Sequence, residues 1–337
     1  RAAAFVKNPH FLDPPSPSQG SLMSPSRISV MGDRLPALFF ELLGPDIEVL
    51  EWDDSASSEA VKRVVALITY GHPQVDGPLM DRIPHLRIVS NFGVGVDHID
   101  CDAAKARGVA VGNTPGCVDA STADMTLALM LAAARNVVIG DRFARSPEFT
   151  HYDPSQLIGM EVTGSTLGIV GLGRIGQQVA RRARSFDMRI LYHNRRRDPA
   201  AEQELGATYC SLEELLLESD FVALNCPLTV ETTDLIGTRE FSLMKPTGIL
   251  INVARGPVVN HEALFEALTS RRIAAAAIDV TSPEPLPRNH PLLKLDNLII
   301  TPHLGTASDR TRRRMMEMTV ENLMAGLRHE PLPGRVV

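Results

Sequence analysis

The chain has 337 residues, of which 44% are hydrophobic and 22% charged, a composition that excludes a disordered or fibrous protein and allows two globular domains. Its net charge of −6 argues against a nucleic-acid partner, which would need a basic footprint. No apolar run reaches the roughly 18 residues of a membrane span, so no membrane partner is expected. The four cysteines, Cys101, Cys117, Cys210 and Cys226, show no C-x-x-C spacing. Neither a disulfide framework nor a zinc site is therefore expected, no metal is assigned, and a reducing, cytoplasmic setting fits.

Residues 1–26 are rich in Pro and Ser and read as a disordered extension. Their shortage of acids echoes a transit peptide, which makes a mitochondrial address the lesser alternative, and Met23 is an equally good start. From there strands are predicted at 27–31, 47–52, 64–70, 86–91 and 109–111, with helices at 35–43, 77–82 and 99–107 between them. Such β/α alternation predicts a parallel sheet with helices on its faces. Residues 121–145 read as one long helix, apolar on more than one side, buried and linking two domains. Residues 146–164 are a polar excursion. Strands follow at 166–170, 188–192, 221–225, 248–253, 273–280 and 298–301, and helices at 211–219, 241–244, 261–270 and 306–327. The final helix is expected to return to the first domain.

The organising stretch is 165–197. An apolar strand enters a turn with Gly171, Gly173 and Gly176; a helix with Ile175, Val179, Ala180 and Ala183 on one face follows, and then a second strand. In that context G-x-G-x-x-G is a dinucleotide fingerprint: Gly171 for the tight turn, Gly173 for backbone approach to a pyrophosphate, Gly176 for close helix–strand packing. At the end of the second strand an NAD site places an acid to bind the ribose 2′-OH. Here that place holds Asn194, followed by Arg195, Arg196 and Arg197. Guanidinium groups bind a 2′-phosphate by bidentate, charge-assisted hydrogen bonds, so NADP is the expected cofactor, with NADPH preferred over NADH. The alternative is a solvated basic loop.

Three charged residues stand just past predicted strands: Arg255, Glu284 and His303. Open α/β sheets bind ligands outside these carboxyl ends. Reduction of a keto acid needs such types: a planar cation for carboxylate and carbonyl, an imidazole to deliver a proton near neutral pH, and a carboxylate to stabilise the imidazolium. Taken alone, a His in a Pro-rich turn is more often a surface or structural residue, a Glu between prolines is usually solvated, and Arg255 could cap a turn; their shared placement behind one dinucleotide fold is the signal.

These segments together resemble the NAD(P)-dependent D-isomer-specific 2-hydroxyacid dehydrogenases. The residues that carry the resemblance are Val170–Gly176, Asn252–Gly256, Asp279–Val280 with Pro283–Pro285, Thr301–Gly305 and Asn113–Gly116, and it spans about 27–335. It is strongest toward the glyoxylate/hydroxypyruvate reductase branch, which includes 2-ketogluconate reductases. The resemblance implies two Rossmann-like doubly wound parallel-sheet domains with a cleft between them. The substrate domain would be 27–120 plus 305–337 and the NADP-binding domain 121–304, paired in a homodimer. It implies His303 as acid/base, Glu284 as its partner and Arg255 as substrate anchor. Val94 and Gly95 would hold the substrate carboxylate through backbone N–H groups. Gly173, Arg174 and Ile175 would hold the pyrophosphate, and Asp279 the nicotinamide carboxamide. Cys226, Pro227, Val253, Gly305 and Thr122 would line the cofactor. Some relatives carry tryptophans in the segment before the dinucleotide strand; here 151–156 reads His-Tyr-Asp-Pro-Ser-Gln, so the pocket differs.

The expected activity is NADPH-dependent reduction of glyoxylate, hydroxypyruvate or 2-ketogluconate to the D-2-hydroxy acid. NAD-linked oxidation, and a nucleotide-sensing, corepressor-like scaffold, are the alternatives.

Overall fold

The computed structural model describes residues 28–32, 34–53 and 59–337, so the extension expected at 1–26 lies outside the described residues. The chain divides into two compact units, one reaching Cys117 and resuming at Asp309, the other running from Val118 to Ser308.

The first unit holds β1 (Ile28–Gly32), α1 (Ala37–Leu43), β2 (Ile47–Leu50), β3 (Val64–Thr69), α2 (Gly77–Asp81), β4 (Ile88–Asn91), α3 (Cys101–Ala106) and β5 (Ala110–Gly112). All its strand pairs are parallel, in the order β2-β1-β3-β4-β5. The last helix of the chain, α11 (Asp309–Leu327), packs on this sheet. Its Gly326 is there because a Cβ would lie 2.8 Å from Cβ of Ile88, and Ser90 Oγ donates to the Thr319 carbonyl at 2.7 Å.

The second unit begins with α4 (Asp119–Ala134) and α5 (Val137–Ala144), then β6 (Thr166–Val170), α6 (Arg174–Ala183), β7 (Arg189–His193), α7 (Pro199–Leu205), β8 (Thr208–Tyr209) and α8 (Leu212–Glu218). After these come β9 (Phe221–Leu224), α9 (Thr238–Leu243), β10 (Ile249–Asn252), α10 (His261–Thr269), β11 (Ala275–Ile278) and β12 (Leu298–Ile300). The seven strands are parallel in the order β12-β11-β10-β9-β6-β7-β8. Strand order reverses between β6 and β9, the switch point where a doubly wound sheet opens a ligand crevice. Alternate residues feed two cores: Leu167, Ile169, Phe221 and Ile251 on one face, Val170, Val222, Leu224 and Leu250 on the other. Both faces are covered, as an all-parallel sheet requires.

Three expectations change. The helix predicted over 121–145 is two helices bent by 59°. Asn136 breaks it by adopting φ 53°, a left-handed conformation that Asn tolerates better than most residues. The chain at 157–160 then takes the freed groups: Asn136 Nδ2 donates to the Leu157 carbonyl at 3.3 Å, and Met160 N–H donates to the Ala134 carbonyl at 2.7 Å. Gly305, expected to open the returning part of the first domain, sits in the second unit, where Ser121 Oγ donates to its carbonyl at 3.0 Å. α7 and β8 were not expected, although α7 carries the usual boundary residues: Asp198 accepting from Ala201 N–H, Pro199 at the first position and Gly206 at φ 63° after the end.

Gly326→Val forces the α11–β4 contact apart and is expected to destabilise the protein by about 1–3 kcal/mol. Urea unfolding of variant and wild type measures this; equal midpoints would refute the close-approach account of Gly326.

Candidate active site

The nucleotide end is built at the β6–β9 switch point. Gly171 adopts φ 98°, and a Cβ there would stand 2.6 Å from the Cys226 backbone nitrogen. Gly176 is equally constrained, because its Cβ would run into the Gly171 carbonyl oxygen. Gly173, between them, caps α6 with no side-chain hydrogen bond and has nothing within 4 Å of where its Cβ would be. The first-turn N–H groups of a helix lack intrahelical partners and, with the helix dipole, bind anions. The cradle therefore fits a pyrophosphate, offered by backbone N–H groups that include those of Arg174 and Ile175. The Arg174 side chain is engaged elsewhere, paired with Asp119 at 2.8 Å.

The arginine loop departs from the simple expectation. Asn194 points back into the glycine turn, its Oδ1 accepting from Leu172 N–H at 2.7 Å. Arg195 and Arg196 are exposed. Arg197 is committed to Glu202 by a two-point pair at 2.7 and 2.7 Å, and Tyr192 donates to the same carboxylate at 2.6 Å. Arg197, and then Tyr192, hold the Glu202 carboxyl down to about 2. Burial, reinforced by the bond to Glu202, pushes the Tyr192 hydroxyl up to about 12. Of the three arginines expected to meet a 2′-phosphate, Arg197 is thus a strut for the loop. Its charge is balanced within the protein, because Glu202 begins a turn of α7, a helix absent from the expected elements.

Further along the sheet edge, Cys226 and Pro227 follow β9 and Val253 follows β10. Burial pushes the Cys226 thiol up to about 11, so it stands there as a small neutral group. Thr122, Asp279 and Gly305 come together: a Cβ on Gly305 would lie 3.2 Å from Asp279 Oδ2 and 3.5 Å from Thr122 Cγ2.

Asn252, Ile278 and Ile300 share one rung across β10, β11 and β12. Arg255 and His303 each stand three residues past that rung, and Glu284 lies in the turn that follows β11. Buried Asn252 shapes the Arg255 turn, donating to the Arg255 carbonyl at 2.9 Å and accepting from Ala254 N–H at 3.0 Å. Glu284 accepts from Thr281 N–H at 3.3 Å through Oε2 and meets His303 Nδ1 at 2.7 Å through Oε1. A carboxylate on Nδ1 fixes the ring orientation and leaves Nε2 to act on a ligand.

His303 sits at φ 56°, a conformation costing a non-glycine residue of the order of 1 kcal/mol. Asp279, 2% exposed, holds it there. Its carbonyl accepts from His303 N–H at 2.9 Å, Oδ1 accepts from Thr301 Oγ1 at 2.6 Å and Leu304 N–H at 2.7 Å, and Oδ2 accepts from Gly305 N–H at 2.6 Å. This organising role was not read from the sequence; the only signal was an acid ending an apolar strand, where a buried carboxylate needs several donors.

Val94 and Gly95 lie in the first unit, in the loop after β4. Among the described residues no group of three or more His, Cys, Asp or Glu side chains could hold a metal ion, and no single helix is long and apolar enough to cross a membrane.

Residues 127–305 match the NAD-binding domain of the D-isomer specific 2-hydroxyacid dehydrogenases. The chain belongs to that family. It is an NAD(P)-dependent oxidoreductase, similar along most of its length to other members. One is the glyoxylate reductase of Pyrococcus furiosus, 45% identical over 312 residues, which cover 90% of this chain and 93% of the relative. Another is the glyoxylate reductase of Korarchaeum cryptofilum, 46% identical over 85% of this chain and 88% of its own. Among solved structures, a Thermus thermophilus protein is 44% identical with a TM-score of 0.84, covering 92% of this chain and 100% of its own. The NADPH-dependent glyoxylate/hydroxypyruvate reductase of Sinorhizobium meliloti, solved with NADP and malonate, is 31% identical with a TM-score of 0.84, covering 93% and 97%.

In this family member the Asp279 hub is open to a direct measurement. Asp279→Asn keeps the shape but turns an amide N–H₂ toward one of the donors now bound, leaving donors opposed in a buried site. The loss of stability is expected at about 1–3 kcal/mol, with a fall in turnover from a displaced His303. Thermal melting together with kcat reads this; a variant with unchanged kcat and Tm would remove Asp279 from the account.

Proposed function

We propose that the protein reduces a small 2-keto acid to the D-2-hydroxy acid with NADPH, glyoxylate being the first substrate to test and hydroxypyruvate and 2-ketogluconate the next. The observation that carries this reading is the 2.7 Å bond between His303 Nδ1 and Glu284, at the carboxyl edge of three strands in register. The names of the relatives, glyoxylate reductase and NADPH-dependent glyoxylate/hydroxypyruvate reductase, supply the substrate class.

NADPH, when bound, supplies the hydride. The protein's residues do the rest. The Gly171–Gly176 turn and the start of α6 hold the pyrophosphate, and Arg195 and Arg196 hold the 2′-phosphate in place of the acid of an NAD site. The free lone pair on Asp279 Oδ2 is suited to the amide of the nicotinamide, beside Thr122 and Gly305. Cys226, Pro227 and Val253 line the same edge. Arg255 anchors the carboxylate and polarises the keto oxygen, and the backbone N–H groups of Val94 and Gly95 bind the carboxylate. His303 Nε2 donates its proton to the oxygen as the carbonyl carbon is reduced, while Glu284 stabilises the charged ring beforehand. The neutral imidazole then regains a proton from water. In the opposite direction the same ring is the base, so direction follows from reactant concentrations. NAD-linked oxidation and a sensing scaffold share the fold and not the kinetics.

We further infer a homodimer paired through the second unit. Val137, Phe149, Tyr152 and Ile158 are exposed there, and a hollow of about 490 Å³ at the amino ends of β10 and β11 is lined by Ile139, Met160, Ile249, Ala275 and Ile299. Exposed apolar side chains beside an apolar hollow suit an association site. Sedimentation should give twice the chain mass; a monomer at micromolar concentration would refute it.

The activity itself is tested by oxidation of NADPH and NADH with a panel of 2-keto acids. His303→Ala should lower kcat by about 10²–10⁴-fold. Replacing Arg195 and Arg196 together by Ala should raise KM for NADPH about 10–100-fold and leave that for NADH nearly unchanged. Tight NADPH binding with no turnover on any acid would make the protein a sensor, and equal KM changes for both nucleotides would refute the arginine assignment.

A further inference from the structure

The loop after β4 is held by side-chain amides in an unusual way. Asn91, 0% exposed, donates through Nδ2 to two carbonyls of the same loop, Gly93 at 2.9 Å and Gly95 at 2.9 Å. Asn113 Nδ2 donates to the carbonyl between them, Val94, at 2.8 Å. Three successive carbonyls are therefore fixed by two asparagines. Thr69 Oγ1 donates to Asn91 Oδ1 at 2.7 Å, and since carbonyls only accept, the orientation of the Asn91 amide is forced. Asn113 is fixed in turn: Asn322 of α11 donates to its carbonyl at 2.8 Å, and its N–H donates to the Gly334 carbonyl at 2.8 Å. Gly334 N–H donates back to Asn322 Oδ1 at 2.9 Å.

A trans peptide points its N–H opposite to its C=O. With the Gly93, Val94 and Gly95 carbonyls each drawn toward an amide, the N–H groups of Val94, Gly95 and Val96 each point away from it. Among the described residues no protein group accepts from Val94 or Gly95 N–H. Outward N–H groups of this kind are available to an anion.

We propose that Asn91 and Asn113 are positioning residues for substrate binding. They hold the 93–95 backbone so that its N–H groups meet a carboxylate, while touching neither substrate nor cofactor themselves. Thr69 and Asn322 are the struts that orient the two amides. This rests on the reading that Val94 and Gly95 bind the substrate carboxylate. It adds a determinant of keto acid affinity separate from Arg255, which belongs to the other unit. It also makes that determinant dependent on the carboxyl-terminal segment, which reaches the loop through Asn322 and Gly334.

Asn91→Asp replaces the donor by a carboxylate facing two carbonyls, and Asn113→Ala removes the other donor at a more exposed position that tolerates change. Each should raise KM for glyoxylate and the dissociation constant of malonate, an unreactive carboxylate measured by calorimetry on the NADPH-loaded protein, by at least about tenfold. The KM for NADPH and the Tm of Asn113→Ala should stay near wild type. Thr69→Val should act in the same direction as Asn91→Asp and more weakly. If wild type turns over glyoxylate and folded Asn113→Ala keeps its KM and malonate affinity, the positioning role is wrong and the activity stands. If wild type turns over no 2-keto acid, the activity reading falls, and malonate binding alone judges the cradle: weaker binding by the variants supports it, and no binding by wild type overturns it. An equal rise in the KM for NADPH and for glyoxylate would reduce the asparagines to structural supports.

Discussion

The carboxylate of Asp279 is the constraint on which the second unit's chemistry depends. A charge this deeply buried is costly unless it accepts several hydrogen bonds, and here Thr301, Leu304 and Gly305 supply the donors. All three lie on the segment that carries His303. Satisfying the carboxylate and placing the imidazole are therefore one event, and the left-handed backbone of His303 is supported by the same hub. Gly305 suits this hub, because a Cβ there would press on Asp279 Oδ2 at 3.2 Å.

In each unit the proposed anion site includes main-chain N–H groups, joined in the second unit by the guanidinium groups of Arg195, Arg196 and Arg255. At the start of α6 the groups are freed by the helix end, and the glycines keep side chains out of the way. In the 93–95 loop they are freed by asparagine amides that take the carbonyls instead. Where cations do cluster, one of them is neutralised at once: Glu202 takes Arg197 and, with Tyr192, stiffens the loop that presents Arg195 and Arg196.

What the sequence by itself determined was whatever local chemistry dictates. Continuous apolar runs located the long strands, and the glycine spacing at 171, 173 and 176 between a strand and a helix located the dinucleotide turn. The positions of Arg255, Glu284 and His303 at strand ends were legible for the same reason, because strand ends can be read from apolar runs. Tertiary structure decided the rest. The break at Asn136 depends on carbonyls being taken by residues 157–160, which no periodicity within 121–145 reveals. The partners of Arg197 and Asp279 lie 5 to 26 residues away, and a charged residue looks the same in sequence whether it awaits a ligand or is already paired. The two asparagines under the 93–95 loop were invisible as a pair because strand pairing and the return of α11, 209 residues later, bring their environment together. Chain-local forces choose elements and turns; which polar group satisfies which is settled only when burial removes water as the alternative partner.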